Sequence, residues 1–259
     1  MVDIQTGRAG SMALSAEGKV ITWGTTSGLN ASSKPSGLDV GVKQIAASYY
    51  AAACVREDGS VAVWGSLPTG VVNVPSEAQS GVEKVCINRN SCFALKDGGV
   101  IGWGSTATSE DVPVAAESGV IDIVTAWYNV FALKSDGTLV GWGSNNNTLN
   151  LMPATAGENA KQVYAGGYAV IVLNNDGTTL SWGTTTNNVL PLNVVTGKNQ
   201  LSYSIGYQIG MSIRADGGYY LWGATTTYQQ SSGFIPAVAQ TNAMKYSAEY
   251  RHTLALVRD

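Results

Sequence analysis

A Trp-Gly pair recurs six times along this chain, at Trp23, Trp64, Trp103, Trp142, Trp182 and Trp222, in steps of 39 to 41 residues. Six residues before each Trp stands an acid followed by glycine: Glu17-Gly18, Asp58-Gly59, Asp97-Gly98, Asp136-Gly137, Asp176-Gly177 and Asp216-Gly217. A period near 40 residues marks an architecture built from one supersecondary unit repeated, because a unit of that size cannot bury both faces of its own sheet. Asp-Gly between alternating apolar runs is a hairpin signal, since glycine supplies the positive φ of a tight turn.

Each unit reads as three strands. In the second copy they are Val42 to Ala47, Ala51 to Arg56 and Ser60 to Trp64. In the fourth they are Val120 to Thr125, Val130 to Lys134 and Thr138 to Trp142. Proline keeps the same register: Pro35, Pro75, Pro113, Pro153, Pro191 and Pro236 each follow a Trp by 9 to 14 residues and mark connectors, where no backbone donor is needed. The last copy, Met244 to Asp259, matches only the first two strands. A terminal half-unit makes sense if it docks on the first unit and closes a ring. The expectation is an all-β, seven-bladed β-propeller with mostly three-stranded blades and a reduced last blade; six blades are the alternative. It forms a single domain, 1–259, with repeats at approximately 1–41, 42–81, 82–119, 120–159, 160–199, 200–243 and a partial 244–259.

The repeat resembles the regulator-of-chromosome-condensation superfamily, whose copies run through an apolar strand, His-Thr-Leu-Ala-Leu, Asp-Gly-Thr and Trp-Gly. His252-Thr253-Leu254-Ala255-Leu256 matches that block in full. Phe131 to Thr138, followed by Gly141-Trp142-Gly143, is another close match. The short copies are most similar to propellers of the bacterial β-lactamase-inhibitory protein II type, which the resemblance implies are seven-bladed and bind an enzyme through one face. The family histidine is replaced by Gly10, Ala51, Ser91, Asn129, Ala169 and Ile209 in the other copies. The long repeats and insertions of the nucleotide-exchange members are missing.

Composition narrows the function. Charged residues are 13% of the chain, about half the usual share, and the formal net charge is −3. Nothing in that balance draws the protein toward nucleic acid or an anionic membrane. No stretch approaches the 18 or more apolar residues of a membrane span. The first residues show neither the basic nor the apolar region of a signal peptide, and the compartment stays open: secreted, surface or virion locations all suit the composition. Three cysteines are too few for a disulfide scaffold. Cys86 and Cys92 are placed to face each other across a hairpin or to serve as small buried thiols. The single histidine, His252, sits on a repeat position and reads as structural. No zinc spacing, phosphate loop or nucleophile elbow occurs, so neither a cofactor nor an enzymatic role is expected.

Strand direction puts the turns between first and second strands on one face, with the segments after Trp-Gly. The Asp-Gly turns fall on the other face. The two central positions of those first turns read Arg8-Ala9, Tyr49-Tyr50, Arg89-Asn90, Trp127-Tyr128, Gly167-Tyr168, Tyr207-Gln208 and Tyr250-Arg251. Seven of these fourteen are Tyr or Trp and three are Arg, in a chain only 8% aromatic. Those types dominate interface hot spots. The candidate partner-binding residues are therefore Arg8, Tyr49, Tyr50, Arg89, Trp127, Tyr128, Tyr168, Tyr207, Tyr250 and Arg251. The plainer reading is that the rings plug gaps between blades, although such a role calls for one repeated apolar type. Asn145 to Thr148, Thr184 to Asn188 and Thr225 to Gln230 offer a polar rim, or are ordinary solvated loops. The expected function is a non-catalytic protein-binding scaffold, an inhibitor being one form of it. The alternatives are a lectin-like propeller that binds a glycan and a virion or cell-surface structural module.

Overall fold

The computed structural model describes residues 1–8, 10–24, 34–66, 72–104, 111–144, 151–183, 200–207, 209–215, 218–223, 243–249 and 252–258. Blade 1 holds β1 (Asp3–Thr6), β2 (Gly10–Leu14) and β3 (Val20–Gly24). Blade 2 holds β4 (Val42–Ala47), β5 (Ala51–Arg56) and β6 (Val61–Gly65), and blade 3 holds β7 (Lys84–Ile87), β8 (Ser91–Lys96) and β9 (Gly99–Gly104). Blade 4 holds β10 (Val120–Thr125), β11 (Asn129–Lys134) and β12 (Leu139–Gly143), and blade 5 holds β13 (Ala160–Gly166), β14 (Ala169–Asn174) and β15 (Thr179–Gly183). Blade 6 holds β16 (Gln200–Ile205), β17 (Ile209–Arg214) and β18 (Tyr219–Gly223), and blade 7 holds β19 (Ala243–Glu249) and β20 (His252–Val257). Six sheets are three-stranded antiparallel meanders and the seventh has two strands among the described residues.

The ring closes between blades 7 and 1. The Thr6 amide donates to Ser247 Oγ at 3.0 Å, the two hydroxyls lie 3.0 Å apart, and Lys245 pairs with Asp3. On the other side the Ala248 amide donates to Ser204 Oγ of blade 6 at 2.8 Å. The final pair of strands thus forms a blade of its own, which makes seven blades and not six.

The middle strands of blades 1 to 6 are buried along five successive positions because both faces are covered. Ala52 and Cys54 of β5 pack toward blade 1, with Met12, Leu14 and Val20. Ala51, Ala53 and Val55 of the same strand pack toward blade 3, with Val85, Ile87 and Trp103. The Trp of each Trp-Gly pair faces the preceding blade: Trp64, Trp103, Trp142 and Trp182 are buried there. The same alternation decides between the two readings of the cysteines and bears out the buried-thiol one. Cys86 packs toward blade 4 and Cys92 toward blade 2, so the two thiols lie on opposite faces of one sheet and are free. Burial pushes the Cys54 thiol up to about 11 and that of Cys86 up to about 12, which keeps them un-ionised near neutrality.

The prolines act as expected where they are described. Pro75, Pro113 and Pro153 stand in extended conformation just before short 3-10 turns at Ser76–Ala78, Val114–Ala116 and Ala154–Gly157. Pro191 and Pro236 lie outside the described residues. No helix among those described is long and apolar enough to cross a membrane.

Candidate functional site

In blades 2, 3 and 4 the first turn is a two-residue hairpin loop. Ser48 donates its amide to Ala51 O at 2.8 Å, Asn88 to Ser91 O at 3.0 Å and Ala126 to Asn129 O at 2.9 Å. The two residues enclosed are the two variable positions of the repeat. The turns are also joined blade to blade, since the Arg89 amide reaches Trp127 O at 3.3 Å and the Trp127 amide reaches Gly167 O at 3.1 Å.

The Trp-Gly motif is what holds these turns at their height. Gly65, Gly104, Gly143 and Gly183 have φ between +118° and +151°. A Cβ on Gly143 would lie 2.3 Å from Tyr128 O, and one on Gly65 would lie 2.5 Å from Tyr50 O. After Gly143 and Gly65 the next residue binds the same carbonyl: Ser144 donates to Tyr128 O at 3.0 Å and Ser66 to Tyr50 O at 2.9 Å. The end of the third strand therefore supports the turn directly, and only glycine allows that approach.

Trp127 is the hub of the face. Its ring stacks on Tyr207 of blade 6, with centroids 4.4 Å apart and planes at 5°. It meets Tyr168 of blade 5 at 5.0 Å, its neighbour Tyr128 at 6.3 Å and Tyr49 of blade 2 at 5.7 Å. Blades 2 and 6 are not adjacent, so the indole spans the mouth of the central channel. Arg89 inserts between rings: its guanidinium lies 5.6 Å from the Tyr49 and Trp127 centroids and 5.8 Å from that of Tyr128. It also donates to Tyr128 Oη at 2.8 Å. Arg8 covers Tyr49 at 4.7 Å, and Tyr50 packs edge-on against Tyr49 at 4.4 Å. Cation–π contacts of this kind hold a guanidinium in place while leaving it charged. Burial raises the Tyr168 phenol above its ordinary value, helped by the nearby Tyr128 and Tyr207. The Tyr168 hydroxyl therefore stays a neutral donor near neutrality.

Trp127, Tyr49 and Tyr207 close the channel, yet all three are only half-buried, as are Tyr50, Tyr128, Tyr168 and Arg89, and Arg8 is exposed. The structure brings eight of the ten candidates into one cluster; Tyr250 and Arg251 lie outside the described residues. The polar loops at Asn145–Thr148, Thr184–Asn188 and Thr225–Gln230 lie outside them too.

Beneath the aromatic cap the channel encloses about 340 Å³ and is lined by the first strands of the blades. Sequence reasoning missed its lower end. The residue pairing with the fifth position of the middle strand is polar in every copy: Asp3, Gln44, Lys84, Asp122, Gln162, Ser202 and Lys245. Two ion pairs, Lys84–Asp122 and Lys245–Asp3, neutralise the charges, and Gln44 bridges to blade 3 through the amide and carbonyl of Val85. A recurring polar column inside otherwise apolar strands was the available signal. In blades 2, 4, 5, 6 and 7 a register shift one residue earlier creates the alignment, as a β-bulge does. Among the described residues no three metal-ligating side chains come together.

Comparison with known proteins places the architecture. No family model matches the chain, and no curated protein matches it. Solved structures do. The CRINKLY WD40 ectodomain of the Arabidopsis thaliana receptor kinase ACR4 superposes with a TM-score of 0.73 at 19% identity, over 99% of this chain and 90% of that one. Prp20p from Saccharomyces cerevisiae, solved with its binding properties to Gsp1p and histones, gives 0.70 at 15% identity, over 97% and 81%. The ectodomain of the Physcomitrella patens receptor kinase CR4 gives 0.72 at 16% identity, over 95% and 67%. The fold is that of these repeat propellers. At such identities the likeness carries the architecture alone.

Proposed function

We propose that this propeller is a non-catalytic scaffold that binds a partner protein through the face built by Arg8, Tyr49, Tyr50, Arg89, Trp127, Tyr128, Tyr168 and Tyr207. The observation that carries the reading is the Trp127 cluster: six half-buried rings from four blades, preorganised by stacking and by Arg89, on one side of a rigid ring. Rings fixed before binding lose little conformational entropy when a partner seats on them. The arginines supply charge-assisted donors for acidic groups of the partner. Occlusion is the mechanism such a surface performs, and the resemblance to the β-lactamase-inhibitory type supports an inhibitor among its forms. The turn residues differ from blade to blade, which suits one extended protein surface better than a repeated sugar site.

Once a partner has been captured, titration calorimetry with single variants tests the assignment. Trp127→Ala should weaken binding by roughly 2 kcal/mol or more, about thirty-fold in Kd. Tyr50→Ala, which touches only the edge of the cluster, should weaken it less and leave the melting temperature unchanged. Affinity unchanged in both variants would remove this face from consideration.

A further inference from the structure

Among the described residues four charged side chains line the central channel, and three of them are paired. Lys84 pairs with Asp122 and Lys245 with Asp3, at the lower end. Arg89, at the upper end, has no carboxylate partner among the described residues. It is fixed all the same. Its guanidinium and the Tyr49 and Trp127 rings stand within 5.7 Å of one another, and Tyr128 Oη takes up one of its N–H groups at 2.8 Å. Cation–π contact leaves the rest of the planar donor edge available. The wall beside Arg89 carries further donors. Ser48 and Asn88 stand just before Tyr49 and Arg89 in two adjacent turns, line the channel, and are 8% and 4% exposed. Ser48 Oγ and Trp127 Nε1 are buried with no hydrogen-bond partner. Asn88 Oδ1 accepts from the amides of Asn90 and Ser91 at 2.9 and 2.8 Å, so what Asn88 has left to offer is its NH2 group. Buried polar groups of this kind call for a partner that the chain itself does not supply.

We infer that the upper end of the channel is a carboxylate site. Arg89 takes the two oxygens through its N–H edge, and Asn88 Nδ2 and Ser48 Oγ donate from the wall. Trp127 Nε1 adds a donor from the lid. Ser48 Oγ and the indole N–H are closed off from solvent, so seating the ligand turns both side chains toward it. Each of these groups can donate a hydrogen bond and the one charge among them is positive, which selects an anion over a neutral or cationic molecule. Below Arg89 the channel of about 340 Å³ is walled by Ile87, Val124, Ala126, Val163 and Ala165, which suits a small apolar body such as a phenyl ring. A free small acid and an acidic side chain of a bound protein present the same group, and the chemistry of the site is the same for both. The site shares Arg89 and Trp127 with the proposed protein-binding face but does not depend on that reading.

Sodium benzoate is the probe for a free acid, and acetyl-Gly-Glu-Gly-amide is the probe for a protein side chain. Each is titrated into the full chain at neutral pH and constant ionic strength. The readout is the indole N–H resonance of Trp127, identified by its absence from Trp127→Phe. Saturation by benzoate assigns the carboxylate to a free acid, and saturation by the peptide alone assigns it to a side chain; either upholds the site. Benzamide, which has the shape of benzoate without its charge, should give no saturating shift. Arg89→Gln should weaken the binding about ten-fold or more. Ser48→Ala should weaken it by a smaller factor and melt no lower than the wild type, because the hydroxyl it removes has no partner. No saturating shift with either carboxylate up to tens of millimolar would overturn the inference. An equal response to benzamide would do so too, as would unchanged affinity in a folded Arg89→Gln. Capture of a protein partner reads the aromatic face separately, so failure here leaves that proposal standing.

Discussion

Gly143→Ala is expected to destabilise the protein by about 3 kcal/mol, a large share of the stability of a domain this size. Two costs act together. The backbone at Gly143 has φ of +120°, which L side chains rarely adopt. The new Cβ would also sit 2.3 Å from Tyr128 O and 3.0 Å from the Asn129 Cα, both backbone atoms that cannot swing aside. Relief requires either the third strand or the turn to move. The turn carries Trp127 and Tyr128, so the variant should lose near-ultraviolet circular dichroism from the ring cluster as well as stability in urea. Equal urea midpoints for the two proteins would show that the Trp-Gly glycine does not support the turn as described.

Phe131→Ala is expected to cost about 3–5 kcal/mol. Phe131 is fully buried between blades 4 and 5 and meets the Trp182 ring edge-on at 5.9 Å. The blade interface is made of side chains held by rigid sheets, so the space left by a phenyl ring cannot collapse, and the cavity adds to the lost transfer free energy. Phe131→Leu retains most of the volume and should cost less than half as much. A difference below 1 kcal/mol between wild type and Phe131→Ala in denaturant titrations would contradict the packing of these two blades.

Much of the fold was legible in the chain because the repeat is punctuated by residues with single physical roles. Val42 to Ala47 and Ala51 to Arg56 coincide with the observed strands. The third strand of blade 2 begins at Val61, one residue later than expected, because the Ser60 amide is taken by Asp58 Oδ1 at 2.8 Å and stays in the turn. The turn positions of the candidate site were legible for the same reason, a fixed offset from Asp-Gly and Trp-Gly. What the rings do with one another was not. Trp127 reaches Tyr49 and Tyr207 across the channel, and contacts between non-adjacent blades leave no trace in a 40-residue period. The polar ring at the lower end escaped because the bulge that aligns it shifts the strand's alternation by one residue. The opposite facing of Cys86 and Cys92 was readable only with the register Cys86↔Phe93 and Ile87↔Cys92 in hand.

The face itself is tested most directly by capture. Wild-type protein and the triple variant Tyr50→Ala, Arg89→Ala, Trp127→Ala would be immobilised at equal density and exposed to extract from the native source, after circular dichroism has shown both to be folded. A protein retained by the wild type and lost from the variant is the outcome this account predicts. The same protein retained in equal amount by both would contradict it.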